Sequence, residues 1–379
     1  MKVTALELIP VSCPAPSVLR WGRSETRRLG GTLVLVHTDE GITGLSAAPV
    51  GVGIQRAILS DLIGPLVIGS DPGAIEATWS RMAARVRGQE AADLVGAIDV
   101  ALWDIAGKVA GLPLYRLFGG NRTRLPCYAA PSMRPDVDEL LDELVAYRDQ
   151  GFRAVKLRIG LGPVGWAGNN PRDQSKDIAI LTGARKVLGE DYTIGADTDK
   201  TYDFPMTVRL APTVNELGLA WLEEPAGTDE RLQYIRELRR VSHHVRVPIA
   251  GGQEFFGPEQ FDGLLQAEAV DIVQPDVCHA GGLTPLRKVA AMAEGRRVGC
   301  MPHVNCGGGH DLEMVAAAHA LAAMPQEQWL CYPAYDSPLR RELVREPPRL
   351  VDGYLELPSG PGLGLELDPG AVDRLRADR

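Results

Sequence analysis

The sequence predicts an α/β chain whose larger part is a β/α barrel, preceded by a small α+β domain. Three observations carry that expectation. Eight short apolar runs follow one another after residue 124: Leu125 to Ala129, Ala154 to Ile159, Tyr192 to Ala196, Ala220 to Glu223, Val247 to Gly251, Asp271 to Gln274, Gly299 to His303 and Trp329 to Tyr332. From the third onward they begin roughly 25 to 30 residues apart, the length of one βα unit. No G-x-G-x-x-G opens the first unit, so a doubly wound dinucleotide fold has little support.

The first 125 residues have a different texture. Val3 to Val11 and Thr32 to His37 read as strands, with an Asp39-Glu40-Gly41 turn before Ile42-Thr43-Gly44. Helical stretches follow at about Ile54 to Val67, Ala74 to Val86 and Ala91 to Val109, the last stopped by Gly111-Leu112-Pro113. Strands followed by helices, without alternation, suggest a separate α+β unit. The expected division is residues 1–125, a barrel over 126–340, and a Pro-rich, charged segment over 341–379 that returns to the first unit.

Composition fits this size. The 379 residues are 45% apolar and 23% charged, enough for a large core and too ordered for general disorder. A net charge of −9 argues against a nucleic-acid or anionic-membrane surface, since both need a basic face. No apolar run reaches the roughly 18 residues of a membrane span. The start, Met1 to Glu7, reads as a strand instead of a signal peptide, so a soluble cytoplasmic protein is expected. Six cysteines without C-x-x-C or zinc-like spacing read as buried thiols.

In a barrel the chemistry gathers at the C-terminal ends of the strands. The second run ends Lys156-Leu157-Arg158, whose period-2 spacing puts both cations on one face. The third ends Asp197-Thr198-Asp199, the fourth Glu223-Glu224-Pro225 and the fifth Gln253-Glu254. Three successive strands thus bring oxygen donors to one rim, where unpaired carboxylates would repel. A hard divalent cation resolves the repulsion, and oxygen-only ligation selects Mg²⁺ or Mn²⁺ over zinc. The sixth run carries Gln274-Pro275-Asp276 before Gly281-Gly282, and the seventh ends Pro302-His303. Asp276 beside His303 would form a dyad in which the carboxylate orients the imidazole and raises its basicity. His37, His243, His244, His279, His310 and His319 have no such neighbourhood in the sequence and read as structural. Cys278 and Cys306 read as packing.

With these motifs in order, the chain resembles the mandelate racemase/muconate lactonizing enzyme group of the enolase superfamily. The stretch Ala97 to Lys108 (AIDVALWDIAGK) looks like that group's helix joining capping domain to barrel. The resemblance implies a modified (β/α)₇β TIM barrel with an N-terminal α+β capping domain completed by the C-terminal tail. It also implies a Mg²⁺ ion chelating a substrate carboxylate, removal of the proton α to that carboxylate through an enediolate, and a homo-oligomer. Asp197, Glu223 and Glu254 are the expected metal ligands. Gapless counting from Pro248 puts Gln253 at the group's third-ligand position, so Gln253 stands as the alternative to Glu254. Three further departures matter. Arg158 replaces the second lysine of a Lys-x-Lys pair and clamps better than it deprotonates. Cys331 lies on a strand where racemase-like members often carry glutamate. Asp199 stands where asparagine is common.

The leading expectation is a sugar-acid dehydratase, a hydro-lyase with His303 as base and Lys156 and Arg158 as the electrostatic face. A racemase or epimerase of a 2-hydroxy or amino acid needs a base on each side, which Arg158 disfavours. A non-catalytic carboxylate-binding protein on the same barrel is the alternative of another class. The loop Gly160 to Asp177 and the segment Ser17 to Arg28 are expected to cover the site and read distal hydroxyls.

Overall fold

A computed structural model describes residues 1–22, 24–49, 51–160, 173–305, 308–326 and 328–378. The chain opens with a three-stranded antiparallel sheet, β1 (Val3–Trp21), β2 (Ser24–Thr38) and β3 (Thr43–Ala48). Helices α1 (Val52–Ile58), α2 (Gly64–Val67), α3 (Ile75–Ala83), α4 (Gln89–Ala110) and α5 (Leu114–Leu117) follow, with a π-turn over Leu59–Ile63 between the first two. The segment Ser17 to Arg28 forms the tip of a long hairpin: Leu19, Arg20 and Trp21 pair with Thr26, Glu25 and Ser24. Arg23 lies outside the described residues. Pairing satisfies backbone groups that a loop would leave to water, and it gives the tip a fixed direction.

The eight expected runs are all strands: β4 (Arg124–Ala130), β5 (Ala154–Arg158), β6 (Thr193–Asp197), β7 (Trp221–Glu223), β8 (Ile249–Gly251), β9 (Ile272–Val273), β10 (Gly299–Cys300) and β11 (Leu330–Pro333). They pair in parallel in chain order from β4 to β10, and β11 returns to pair with β4. Between them lie α6 (Val137–Asp149), α7 (Ser175–Leu188), α8 (Phe204–Glu216), α9 (Arg231–Val241), α10 (Gly257–Gln266), α11 (Leu283–Gly295) and α12 (Leu312–Ala322). Local signals set several starts. Asp136 accepts the backbone N–H groups of Asp138 and Glu139 at the head of α6, and Asp203 does the same for Met206 at α8.

Beyond the barrel come α13 (Pro338–Glu342), β12 (Leu350–Val351), β13 (Tyr354–Glu356) and α14 (Pro369–Leu375). The β12–β13 hairpin adds antiparallel to β4. The last residues then reach β1, where the Ala377 N–H donates to the Pro10 carbonyl at 2.9 Å.

Helix α4 connects all of these parts. Every residue from Ala91 to Leu102 is buried, which a one-sided amphipathic helix would not show. Three buried aspartates on it serve three neighbours. Asp104 accepts the Leu45 and Leu363 N–H groups at 2.9 and 2.7 Å and pairs with Lys108 at 2.6 Å. Asp99 accepts the Thr284 N–H at the start of α11 at 2.9 Å, and its burial pushes its carboxyl up to about 7. Asp93 reaches the loop after β9, as described below.

Gly96 makes that docking close: a Cβ there would lie 2.4 Å from the Cys278 carbonyl oxygen. Gly96→Ala should therefore push α4 off the 276–279 loop. It should cost about 1–3 kcal/mol, as overpacking usually does. Thermal denaturation of the variant beside the parent checks this, and an unchanged midpoint would contradict it.

Candidate active site

Strand period places Lys156 and Arg158 inside the barrel mouth, and both are buried. In the ladder, Arg158 lies opposite Asp197, and Asp197 opposite Glu223. Parallel strands in register thus bring residues 26 to 67 positions apart to one point. Lys156 Nζ is the centre of that point, 2.5 Å from Glu223 Oε1 and 3.0 Å from Asp197 Oδ2. Burial alone would deprotonate this amine, but the two carboxylates outweigh it and hold the lysine charged well above its ordinary range. Burial would likewise raise Asp197, and the cations Lys156 and Arg158 reverse that and lower it. Glu223 receives two further donors at Oε2, Trp221 Nε1 at 3.1 Å and Gln274 Nε2 at 2.7 Å. Gln274, noted in the sequence only as part of a motif, is thus a residue that fixes this carboxylate.

The dyad forms as expected from its spacing. His303 Nδ1 lies 2.8 Å from Asp276 Oδ2. Asp276 Oδ1 is occupied by the backbone N–H groups of Cys278 and His279 at 2.8 and 3.0 Å. Burial works against its charge, yet the imidazoles of His279 and His303 and these N–H groups bring the carboxyl down to about 2. A folded-state value below the ordinary 3.8 favours folding above about pH 4 and ceases to do so as pH falls toward 2. The Asp276 carboxylate is therefore ionised wherever His303 can act as a base.

Arg158, Asp197 and His303 face one cavity of about 210 Å³, lined also by Trp21, Asp199, Gln253, Glu254, His279 and Asn305. Trp21 arrives from the hairpin tip. Gly22 beside it approaches so closely that a Cβ there would meet Asp199 Oδ2 at 2.3 Å. Asp199 itself has a left-handed backbone (φ 47°), and its N–H donates to Asp197 Oδ1 at 2.8 Å. Burial and the neighbouring Asp197 push its carboxyl up to about 6. Most of the loop Gly160 to Asp177, and Cys306, lie outside the described residues.

At the fifth strand end both candidates border the cavity. Glu254 is half exposed and turned to Lys200, which also approaches Glu224 at 3.8 Å. Gln253 Oε1 is buried and accepts no hydrogen bond among the described residues. Among the described residues no three of His, Cys, Asp and Glu converge as a metal cluster. The converging oxygen donors are two carboxylates, Asp197 and Glu223, with an unpartnered amide oxygen bordering the same cavity. An orphaned buried acceptor beside two ionised carboxylates suits a hard divalent cation. Cys331 is fully buried on β11 and offers no acid there. The Cys278 thiol packs against the Ala47 carbonyl at 3.4 Å, and burial pushes it well above the thiol range.

His279 overturns its reading as a structural residue. It lines the cavity, and its Nδ1 is 2.7 Å from Asp93 Oδ1. The available signal was Asp93 itself, one of three aspartates in a largely apolar helix, each of which demands a partner once buried. His319, by contrast, is structural: Nδ1 accepts the Tyr115 N–H at 3.2 Å and Nε2 meets the Leu363 carbonyl at 3.1 Å.

No described helix is long and apolar enough to cross a membrane. Residues 8–119 match the family model for the mandelate racemase/muconate lactonizing enzyme N-terminal domain, and residues 139–371 match that for the enolase C-terminal domain-like fold. An arabinonate dehydratase of Saccharolobus solfataricus is 29% identical, over 90% of this chain and 89% of its own length. A D-galactarolactone cycloisomerase of Agrobacterium fabrum is 31% identical, over 92% of each. A racemase from Streptomyces coelicolor A3(2), solved with bound magnesium, superposes with a TM-score of 0.86 at 25% identity, over 99% of this chain and all of that one. With its barrel, its capping sheet and both of its family-model matches, the chain belongs to the mandelate racemase/muconate lactonizing enzyme group of the enolase superfamily.

Proposed function

We propose that the protein is a hydro-lyase that removes the proton α to the carboxylate of a sugar acid and expels the β-hydroxyl as water, giving a 2-keto-3-deoxy acid. One observation carries this reading. One cavity is lined by His303, which Asp276 holds from behind, and by Asp197, which Lys156 joins to Glu223. The dehydratase among the relatives favours the same chemistry.

Asp197, Glu223 and Gln253 Oε1 would hold Mg²⁺, with Glu254 kept by Lys200. Bound there, the ion supplies positive charge to the substrate carboxylate as the α-carbon loses its proton. The chain's own residues do the rest. Nδ1–H of His303 donates to Asp276, which leaves the Nε2 lone pair as the base. The α C–H bond breaks, its proton passes to Nε2, and the electron pair moves into the carboxylate. Lys156 and Arg158 stay protonated and offset that negative charge. The β C–O bond then breaks, and Nε2–H gives its proton to the departing hydroxide. The resulting enol takes a solvent proton at C3 and gives up its hydroxyl proton to solvent, which leaves the 2-keto group.

A charged, walled-in Lys156 and an arginine at 158 leave one base, so one α-configuration should react. The test is proton NMR in D₂O with both α-epimers of each acid in a panel including arabinonate and galactonate, with Mg²⁺. The expected result is a 2-keto-3-deoxy product from one epimer, stopped by EDTA and restored by Mg²⁺. Interconversion of epimers without keto product would replace this reading with racemisation.

A further inference from the structure

His279 is not needed for the steps above, yet it is built into the cavity wall with unusual care. Its Nδ1 is committed to Asp93 Oδ1 at 2.7 Å, with the Gln89 amide also at 2.7 Å. Its own backbone N–H holds Asp276. Asp93 is 1% exposed, whereas the His279 side chain keeps 14% exposure on the cavity side. With Nδ1 tied down from behind, Nε2 is the donor the ring can present to a ligand. The charged groups around it are Asp93 from α4, Asp276 from its own loop and Glu313 from α12, with the neutral Gln89 amide beside Nδ1. Burial opposes a charge on the ring, but Asp276 and Asp93, with Glu313 behind them, outweigh it and raise the imidazole to about 10. The cavity wall at His279 therefore favours a charged imidazole.

We propose that His279, positioned by Asp93, is a substrate-reading donor whose Nε2–H binds an oxygen of the acid beyond its α-carbon. This deepens the reading of the site as one for a sugar acid and rests on it. The geometry favours an oxygen-bearing ligand because an imidazolium facing an alkyl chain would lose hydration with nothing in return. It also gives the chain a reason to bury Asp93 inside α4: the pair fixes which ring edge faces the ligand.

The substitutions separate the two ring nitrogens. His279→Asn keeps an N–H near the Nδ1 position, so Asp93 stays bonded, and deletes the outer donor. His279→Gln places a neutral N–H near the Nε2 position. Binding of three probes to the Mg²⁺-loaded protein is measured by calorimetry: galactarate, galactonate, and 2-hydroxyhexanoate, which lacks distal oxygens. His279→Asn should weaken galactonate or galactarate by roughly 10- to 100-fold, the scale of a charge-assisted hydrogen bond. It should leave 2-hydroxyhexanoate within about threefold. His279→Gln should recover part of the loss. A larger loss for galactarate identifies the oxygen as a second carboxylate, and an equal loss for both identifies a hydroxyl. Equal weakening of all three probes, or of none, overturns the proposal. If His279→Asn does not fold, Asp93→Asn replaces it, with a smaller loss in the same order. Solvent exchange at the α-carbon is followed separately in the parent. Binding without exchange refutes the dehydratase chemistry alone, whereas exchange with His279-independent binding refutes this proposal alone.

Discussion

His303→Asn is expected to abolish α-proton exchange and turnover together, by about 10²- to 10⁴-fold, the usual worth of a positioned general base. Asparagine keeps an N–H near the Nδ1 position, so the Asp276 hydrogen bond survives and the loop after β9 has no reason to move. What disappears is the Nε2 lone pair. Mg²⁺ affinity should stay near that of the parent, because Asp197, Glu223 and Gln253 are untouched. Asp276→Asn should cost less, since that carboxylate accepts no substrate proton, and its loss should alter the pH profile as well as the rate. Single-turnover assays with and without D₂O check both variants. Turnover of His303→Asn within about tenfold of the parent would remove His303 as the base.

Lys156→Met should act on stability and on rate through the same charge. Lys156 bridges Asp197 and Glu223, and all three side chains are at most 4% exposed. Removing the cation leaves two buried carboxylates facing each other. Breaking a buried pair from one side costs about 3–5 kcal/mol. Chemical denaturation in EDTA should show that loss. Excess Mg²⁺ should restore much of it, because an ion that binds only the folded state stabilises it by mass action. Turnover should remain down about 10²- to 10³-fold even with Mg²⁺, as expected when one preorganised charge at a developing anion is removed. Equal stability of parent and variant in EDTA would contradict the bridging role.

The residues of both predictions were legible in the sequence for a shared physical reason. A parallel barrel gathers its strand ends at one rim whatever the loop lengths between them. Lys156, Arg158, Asp197, Glu223, Asp276 and His303 each stand at or just beyond such an end, so periodicity and side-chain chemistry were enough to group them. The strand runs were legible for a related reason, since strands buried on both faces read as short continuous apolar stretches. The hairpin tip was not legible, because its Arg-, Trp- and Gly-rich sequence carries no alternation and only pairing across the hairpin makes it extended.

The amino-acid sequence by itself therefore determined the barrel, the capping unit and the six strand-end residues that face each other across the mouth. The tertiary structure decided what depends on how separate layers dock. It turned Glu254 toward Lys200 and placed Gln253 beside it on the cavity wall, an arrangement that spacing cannot give. It also joined Asp93 to His279 across 186 positions. That contact exists because α4 lies against the 276–279 loop at the distance Gly96 permits, and helix-to-loop packing of this kind leaves no periodic trace in the chain.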